Sequence, residues 1–333
     1  MKIGIIGLGY WGPNIVRNFF INKNVVSIVC CDTNPKRLDG IKQKFPTVET
    51  VSDYKAILKN PSVVAVAIVT PVSTHFKLAK EALESGKHVL LEKPMTDSVE
   101  TADILINLAQ QKNLTLMVDH TFIYTSAVRK IKSLVEKGEL GDILYFDSVR
   151  VNLGLFQHDV NVIWDLAPHD ISIMDYVIQQ KPISVSAVGV NHYNSVEDMA
   201  YLTVNFENNL MAHFHVNWLS PVKVRRILIG GSKQMIVYDD MEPSEKVKIY
   251  DKGIVSPSEE MMHNVLVQYR IGDMHAPNLD QTEALNLMCA DFLESIINDK
   301  KPESDAATGH NVVRILEASQ RSLDNNNAVI KLD

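Results

Sequence analysis

No stretch of this 333-residue sequence approaches the roughly 18 to 20 uninterrupted apolar residues that a bilayer-spanning helix needs, although 46% hydrophobic content is enough for ordinary buried cores. Cysteine is scarce. Cys30, Cys31 and Cys289 offer no disulfide framework, and the first two fall at the end of an apolar run where they serve as small core residues. A reducing cytoplasm is the expected home. Positive charge is also short: 33 Lys and Arg against 40 Asp and Glu give a net charge of −7 and an isoelectric point near 5.9. That balance argues against a nucleic-acid partner, which needs basic surface. Low-complexity tracts, repeats and long charge runs are missing, which removes tails, scaffolds and solenoids. Met1 leads directly into an apolar strand with no basic n-region or small-residue cleavage site, so no signal peptide is expected.

What the sequence does have stands in its first forty residues. The apolar run Lys2-Ile3-Gly4-Ile5-Ile6 feeds into Gly7-Leu8-Gly9-Tyr10-Trp11-Gly12, and Asp32 closes the next apolar run, 20 residues after Gly12. Gly7 permits a tight turn after a buried strand, Gly9 lets a backbone approach a pyrophosphate, and Gly12 lets a helix pack close to that strand. The helix N-terminus then faces the phosphates. A carboxylate at Asp32 accepts hydrogen bonds from an adenosine ribose and repels a 2′-phosphate, so the expected cofactor is NAD. Glycine-rich turns recur for conformational reasons alone, but here strand, glycines, helix and acid occur in register.

The length suggests two domains. Residues 1–120 alternate strand candidates (2–7, 25–31, 62–70, 87–91, 114–118) with helical stripes such as Ile15, Val16, Phe19 and Phe20. This is the pattern of a doubly wound parallel sheet, the Rossmann arrangement. From 121 to 333 the pattern changes to helix candidates at 125–137 and 165–179, with strands at 143–152, 183–191, 199–206, 209–219, 224–230, 233–239 and 246–251. Short turns between successive strands read as an antiparallel meander. The expected fold class is therefore α/β: an N-terminal Rossmann domain, then an α+β substrate-binding and oligomerisation domain with an open, mainly antiparallel sheet. Helices at 281–298 and 308–323 close the chain and can pack back toward the first domain. Residues 252–280 read as an irregular excursion near a substrate mouth or subunit contact.

Two segments carry candidate chemistry. Leu90-Leu91-Glu92-Lys93-Pro94 puts a lysine at the C-terminal end of a parallel strand, the edge where doubly wound sheets bind ligands. A surface lysine is the ordinary alternative, yet this one is held between a buried strand and a proline compatible with a cis bond. In Trp164-Asp165-Leu166-Ala167-Pro168-His169-Asp170, Asp165 and His169 are four apart, on one helical face. Pro168 is easiest to place in the first turn. A helix cap at Asp165 and a core imidazole at His169 are equally open on these residues alone.

Taken together, GLGYWG, Asp32, Thr70-Pro71 with His75, Glu92-Lys93-Pro94 and the Asp165/His169 pair resemble the Gfo/Idh/MocA family of sugar and cyclitol dehydrogenases, over nearly the whole chain. The resemblance implies that Lys93 orients substrate and nicotinamide, that His169 is the acid/base, and that Asp165 holds the substrate hydroxyl or tunes the histidine. It places Gly7, Gly9, Tyr10, Trp11, Gly12, Asp32, Thr70, Pro71, His75, Glu92 and Lys93 around NAD. One departure stands out: many relatives carry Gly or Asn before a histidine followed by an arginine-aromatic pair, whereas this chain has Asp119-His120-Thr121-Phe122. His120 keeps the family's position and is a candidate substrate contact. The second half looks most like members acting at C3 of nucleotide-activated sugars.

Other candidates fit less well. His213 and His215 share a strand face with Met211 and Asn217; no third ligand is placed by sequence, so the expectation is no metal and a subunit interface. Lys223, Arg225 and Arg226 suit either a substrate diphosphate or a solvated or interfacial role. Met261-Met262-His263 has no readable chemistry. The expected activity is hydride transfer between NAD and a secondary alcohol or ketone of a sugar, a nucleotide-activated one at C3. The alternatives are a dehydrogenase of a free aldose or cyclitol, and a non-catalytic NAD- and sugar-sensing protein. The stripe Leu210, Ala212, Phe214, Val216 and Trp218 should face the C-terminal helices, leaving the histidine stripe to a partner subunit in a homodimer or homotetramer.

Overall fold

The computed structural model describes residues 1–154, 160–193, 195–251, 253–254, 269–270 and 272–332. Most of the 252–280 excursion, Met261-Met262-His263 included, lies outside the described residues. The chain forms two compact units: Met1–Tyr124 with Thr282–Glu317, and Thr125–Gln281 with Ala318–Asp333.

The first unit holds six parallel strands, β1 (Lys2–Ile6), β2 (Ser27–Cys31), β3 (Glu49–Val51), β4 (Val63–Ile68), β5 (His88–Glu92) and β6 (Leu116–Asp119), in the order β3-β2-β1-β4-β5-β6. This is the doubly wound order. Its central strands are apolar on both faces, with Ile3, Ile5, Ala65 to Ile68, Val89 and Leu91 buried, because helices cover both sides. Side-chain caps start the helices: Asn34 accepts from Lys36 N, Asp53 from Lys55 N and Ser98 from Thr101 N. Ile15, Val16 and Phe19 are buried as their spacing predicts, whereas Phe20 is exposed and its ring lies against Phe45 at 5.0 Å. Strand β3 and the helices Pro35–Lys44 and Tyr54–Lys59 gave no clear sequence signal, since the strand has only three residues and the first helix buries only Ile41. The helix Ala284–Asn298 joins this unit, with Phe292 edge-on to Phe19 and Asp291 accepting from Tyr124 Oη at 2.8 Å.

In the second unit, among the described residues, a nine-stranded sheet is built from β7 (Ile143–Leu153), β8 (Pro182–Val190), β9 (Met199–Phe206), β10 (Met211–Asn217), β11 (Leu219–Gly231), β12 (Met235–Asp239), β13 (Val247–Tyr250), β16 (Met274–His275) and β17 (Ile330–Lys331). A separate pair joins β14 (Gly253–Ile254) to β15 (Tyr269–Arg270). The order β16-β13-β12-β11-β7-β10-β9-β8-β17 is not a simple meander, because β7 is inserted between β10 and β11 and pairs with β10 in parallel. Every other neighbouring pair is antiparallel. Ala212, Phe214, Val216 and Trp218 are buried on one face. The expected cover by the C-terminal helices is corrected in part. The helix Val162–Ile178 packs on β7, β9 and β10, and the end of the helix Ala306–Asp324 reaches β8, where Ser322 Oγ accepts from Ala187 N at 2.9 Å, while Ala284–Asn298 belongs to the first unit. On the other face Met211, Tyr201, Val188 and Val190 are exposed, and Tyr201 stacks on His215 at 4.4 Å and His213 at 5.9 Å.

Candidate active site

The cofactor turn is made by backbone. Gly7 has φ +99°, closed to most side chains, and a Cβ there would collide with the Val69 carbonyl; one on Gly12 would collide with the carbonyl of Gly7. Nothing stands within 4 Å of where a Gly9 Cβ would be. That open backbone lies beside the N-terminus of helix Gly12–Phe20 and leaves the room a pyrophosphate needs. Asp32 is buried. Its Oδ2 accepts from Leu8 N at 2.7 Å and its Oδ1 from Asn34 N at 2.8 Å, so the carboxylate is locked onto the turn, with Arg37 Nη1 at 3.4 Å. These residues fit NAD(H). Tyr10 is 90% exposed, whereas Trp11 turns inward and donates from Nε1 to Asp119 Oδ2 at 3.2 Å.

Further along the strand ends, the Lys93-Pro94 bond is cis, and Glu92 stands beside Asp119 in the β5–β6 register. His75 is fully buried with Nδ1 on the Pro94 carbonyl at 2.9 Å and Nε2 on the Thr70 carbonyl at 2.8 Å. A neutral ring donates to one of these carbonyls and only faces the other, and His75 lies between the two loops that carry them. Burial pushes its pKa down. Thr70 belongs to one of these loops, its hydroxyl 2.7 Å from that of Thr74. Asp119 is buried, which pushes its carboxyl up, opposed by hydrogen bonds from Thr121 and Trp11. His120 is buried as well. Neither of its ring nitrogens has a hydrogen-bond partner among the described residues, and desolvation, helped by the Lys93 charge, pushes its pKa down to about 3. A neutral imidazole with unspent donor and acceptor capacity is suited to a ligand hydroxyl. Asp119 was missed in the sequence; its place at the C-terminal end of a parallel strand, matching that of Lys93, was the available signal.

The other candidates lie on the helix Val162–Ile178. Asn161 caps it, its Oδ1 accepting from Ile163 N at 3.1 Å and Trp164 N at 3.3 Å. The helix therefore begins earlier than the sequence suggested, and Pro168 sits in its interior instead of its first turn. Asp165 and His169 are half-buried while Ala167, Pro168 and Asp170 are buried, so the pair shares the less covered face. Trp218 is fully buried and donates from Nε1 to Asp165 Oδ2 at 3.0 Å. One turn on, the carboxylate of Asp170 accepts from Arg150 Nε at 2.9 Å, Arg150 Nη2 at 2.6 Å and Ser148 Oγ at 2.8 Å, all buried. The helix carrying the candidate acid/base is thus tied to the sheet by two polar contacts flanking His169. No sequence pattern announced either tie.

Comparison with known proteins fits this geometry. The oxidoreductase family with NAD-binding Rossmann fold matches residues 1–120, and the GFO/IDH/MocA C-terminal domain matches 128–237. The chain belongs to the Gfo/Idh/MocA family. It is an NAD(P)-binding oxidoreductase acting on CH–OH groups, and the sensor alternative falls away. A UDP-N-acetylglucosamine 3-dehydrogenase of Acidithiobacillus ferrooxidans is 28% identical over 90% of this chain and 87% of its own. A solved structure of the enzyme so named superposes with a TM-score of 0.82 at 25% identity, covering 98% of this chain and 99% of that one. A scyllo-inositol 2-dehydrogenase (NADP(+)) of Bacillus subtilis is 23% identical over 97% of this chain and 93% of its own. Among the described residues no group of three or more His, Cys, Asp or Glu is placed to hold a metal, and no helix is long and apolar enough to cross a membrane.

Proposed function

We propose that this Gfo/Idh/MocA protein uses NAD to oxidise or reduce C3 of a nucleotide-activated sugar. The carrying observation is the Asp165/His169 pair on one helix face, its carboxylate fixed by Trp218, in a chain that also has Lys93 at the end of β5. The similarity to a UDP-N-acetylglucosamine 3-dehydrogenase over 90% of the chain supports the substrate class. Bound nicotinamide supplies the hydride acceptor or donor at its C4. In the oxidising direction His169 removes the hydroxyl proton as the carbinol hydrogen departs with its electron pair, leaving a ketone. Imidazole suits this step because it titrates near neutral pH. Lys93 is suited to hydrogen-bond a substrate oxygen and to stabilise charge that develops on it. Asp165 holds the hydroxyl, with Trp218 occupying one carboxylate oxygen so that the group keeps one rotamer. His120 contacts the sugar as a neutral partner.

The second reading, a free cyclitol or aldose dehydrogenase, is favoured by the similarity to the scyllo-inositol 2-dehydrogenase. Incubating the protein with NAD and a panel of nucleotide sugars, free sugars and inositols, and following absorbance of the reduced nicotinamide, separates the two. Thermal protection by UDP but not by glucose or inositol is the matching binding result, because ligands that bind only the folded state raise its stability. Turnover of inositol alone would overturn the nucleotide-sugar reading.

Assembly belongs to the same proposal. The sheet face carrying Met211, Tyr201, His213, His215, Val188 and Val190 mixes apolar and polar groups, which suits a two-fold contact between copies, paired again into a tetramer. Light scattering at micromolar concentration returning a mass near 37 kDa would sink it.

A further inference from the structure

Asp119 is a buried acid that the proton and hydride transfers do not use. It closes β6 in register with Glu92 of β5, so the chain leaves these neighbouring strand ends as Lys93 on one side and His120 on the other. Only 3% of Asp119 is exposed. Trp11 Nε1 donates to Oδ2 at 3.2 Å and Thr121 N to Oδ1 at 3.1 Å, and the Thr121 hydroxyl turns to the same Oδ1. An indole N–H and a backbone N–H can only donate, and they take one oxygen each. That is the environment of an ionised carboxylate, which only accepts. Burial pushes the carboxyl up, while these donors and the Lys93 charge oppose the rise.

The sheet places this carboxylate relative to a dinucleotide. With Asp32 after β2 and the glycine-rich turn after β1, the order β3-β2-β1-β4-β5-β6 leaves the ends of β4, β5 and β6 to the nicotinamide half. Trp11 spans the two regions. It belongs to the turn, stands at the N-cap of the helix Gly12–Phe20, and reaches Asp119, 108 residues away. The oxidised nicotinamide ring carries one positive charge, and the reduced ring is neutral. A fixed carboxylate in a buried setting attracts the first far more than the second. We propose that Asp119 distinguishes the oxidised from the reduced cofactor, strengthening the binding of NAD and leaving that of NADH nearly unchanged. The inference rests on Lys93 standing beside the nicotinamide, as in the proposed function, and is independent of which sugar reacts. Its consequence is directional. Binding that favours the oxidised ring makes NADH on the protein the stronger hydride donor, and in the oxidising direction it eases the release of NADH.

Calorimetry of NAD and NADH, each titrated separately into substrate-free protein, tests it. Asp119→Asn keeps the shape and removes the charge, so the ratio of the NAD Kd to the NADH Kd rises about 10-fold. Asp119→Glu keeps the charge and holds the ratio near its wild-type value, even where both affinities fall. Glu49→Gln, at an exposed carboxylate paired with Lys2, leaves the ratio unchanged. Lys93 is present throughout, so the comparison isolates one negative charge. If Asp119→Asn does not fold, Asp119→Glu against Asp119→Gln makes the same comparison at equal side-chain length. An unchanged ratio in the neutral variants, including equal weakening of both cofactors, overturns the proposal and leaves Asp119 as a brace for the turn. A ratio that moves as far in Asp119→Glu as in Asp119→Asn also overturns it, because shape and not charge is then responsible. No substrate is present, so failure of the nucleotide-sugar reading in the substrate panel leaves this result standing. Loss of turnover in Lys93→Ala beside an unshifted ratio in Asp119→Asn overturns the charge role alone.

Discussion

The cofactor turn and the helix Val162–Ile178 are built by opposite means. At the turn, side chains are removed: Gly7 and Gly12 sit where any Cβ would strike a carbonyl, and the helix that follows starts without a side-chain cap. On the helix, side chains are added. Asn161 caps it, Trp218 holds Asp165, and Arg150 with Ser148 holds Asp170 in the buried interior. A site made of backbone tolerates no side chain at Gly7 or Gly12 but needs few partners. A site made of buried polar side chains depends on every member of its network, because removing one leaves another unsatisfied.

The largest expected effect breaks the second kind of construction. Arg150→Met leaves the Asp170 carboxylate buried with Ser148 as its one remaining hydrogen-bond donor among the described residues, and should destabilise the fold by about 3–5 kcal/mol. Urea denaturation measures it, and a loss below about 1 kcal/mol would show that the pair contributes nothing beyond its packing. Next, Lys93→Ala and His169→Ala should keep fold and NAD binding yet lose turnover on the order of 100-fold or more. Wild-type rates in either variant would remove that residue from the chemistry.

The pH prediction sharpens the cofactor half. His120 has a folded-state pKa near 3 against an ordinary value of 6.5, so below pH 6.5 the unfolded chain takes up a proton that the folded chain refuses. Stability is therefore full above that pH and falls as pH drops toward 3, this residue contributing a slope of about 1.4 kcal/mol per pH unit. His120→Phe should flatten the stability profile between pH 6 and 4 by about one proton. An unchanged slope would show that the imidazole is solvated. The smallest effect is cofactor choice. Asp32, locked by Leu8 N and Asn34 N, should favour NAD over NADP by about 10-fold in kcat/KM. Arg37, 3.4 Å from that carboxylate, is the group able to offset a 2′-phosphate. Equal turnover with NADP would assign it that role.

Legibility in the sequence followed the same division. The six-stranded sheet was largely visible, because buried parallel strands read as apolar runs and the glycines mark the turn. Strand β3 and the Pro35–Lys44 helix were not, since neither buries enough apolar surface to create a period. On the helix, the spacing of Asp165 and His169 showed that they share a face and the family resemblance supplied their candidate roles, whereas Trp218, Arg150 and Ser148 are 53, 20 and 22 residues from their partners and carry no local pattern. That His75 lies between two backbone carbonyls is visible only in the folded chain.

By itself the sequence determined the strand–turn–helix of the glycine-rich turn, the acid that follows β2, the lysine after β5, and the alternation that makes the second unit a sheet. All of these are local: they depend on φ angles, on side-chain volume at one residue and on periods of 2 and 3.6. Only the tertiary structure decided that β7 is inserted between β10 and β11, that the Ala284–Asn298 helix joins the first unit, that Pro168 falls inside its helix, and which buried donors hold Asp165 and Asp170. Those outcomes come from competition among distant surfaces to bury apolar area without stranding a polar group, a condition that no single window of sequence contains.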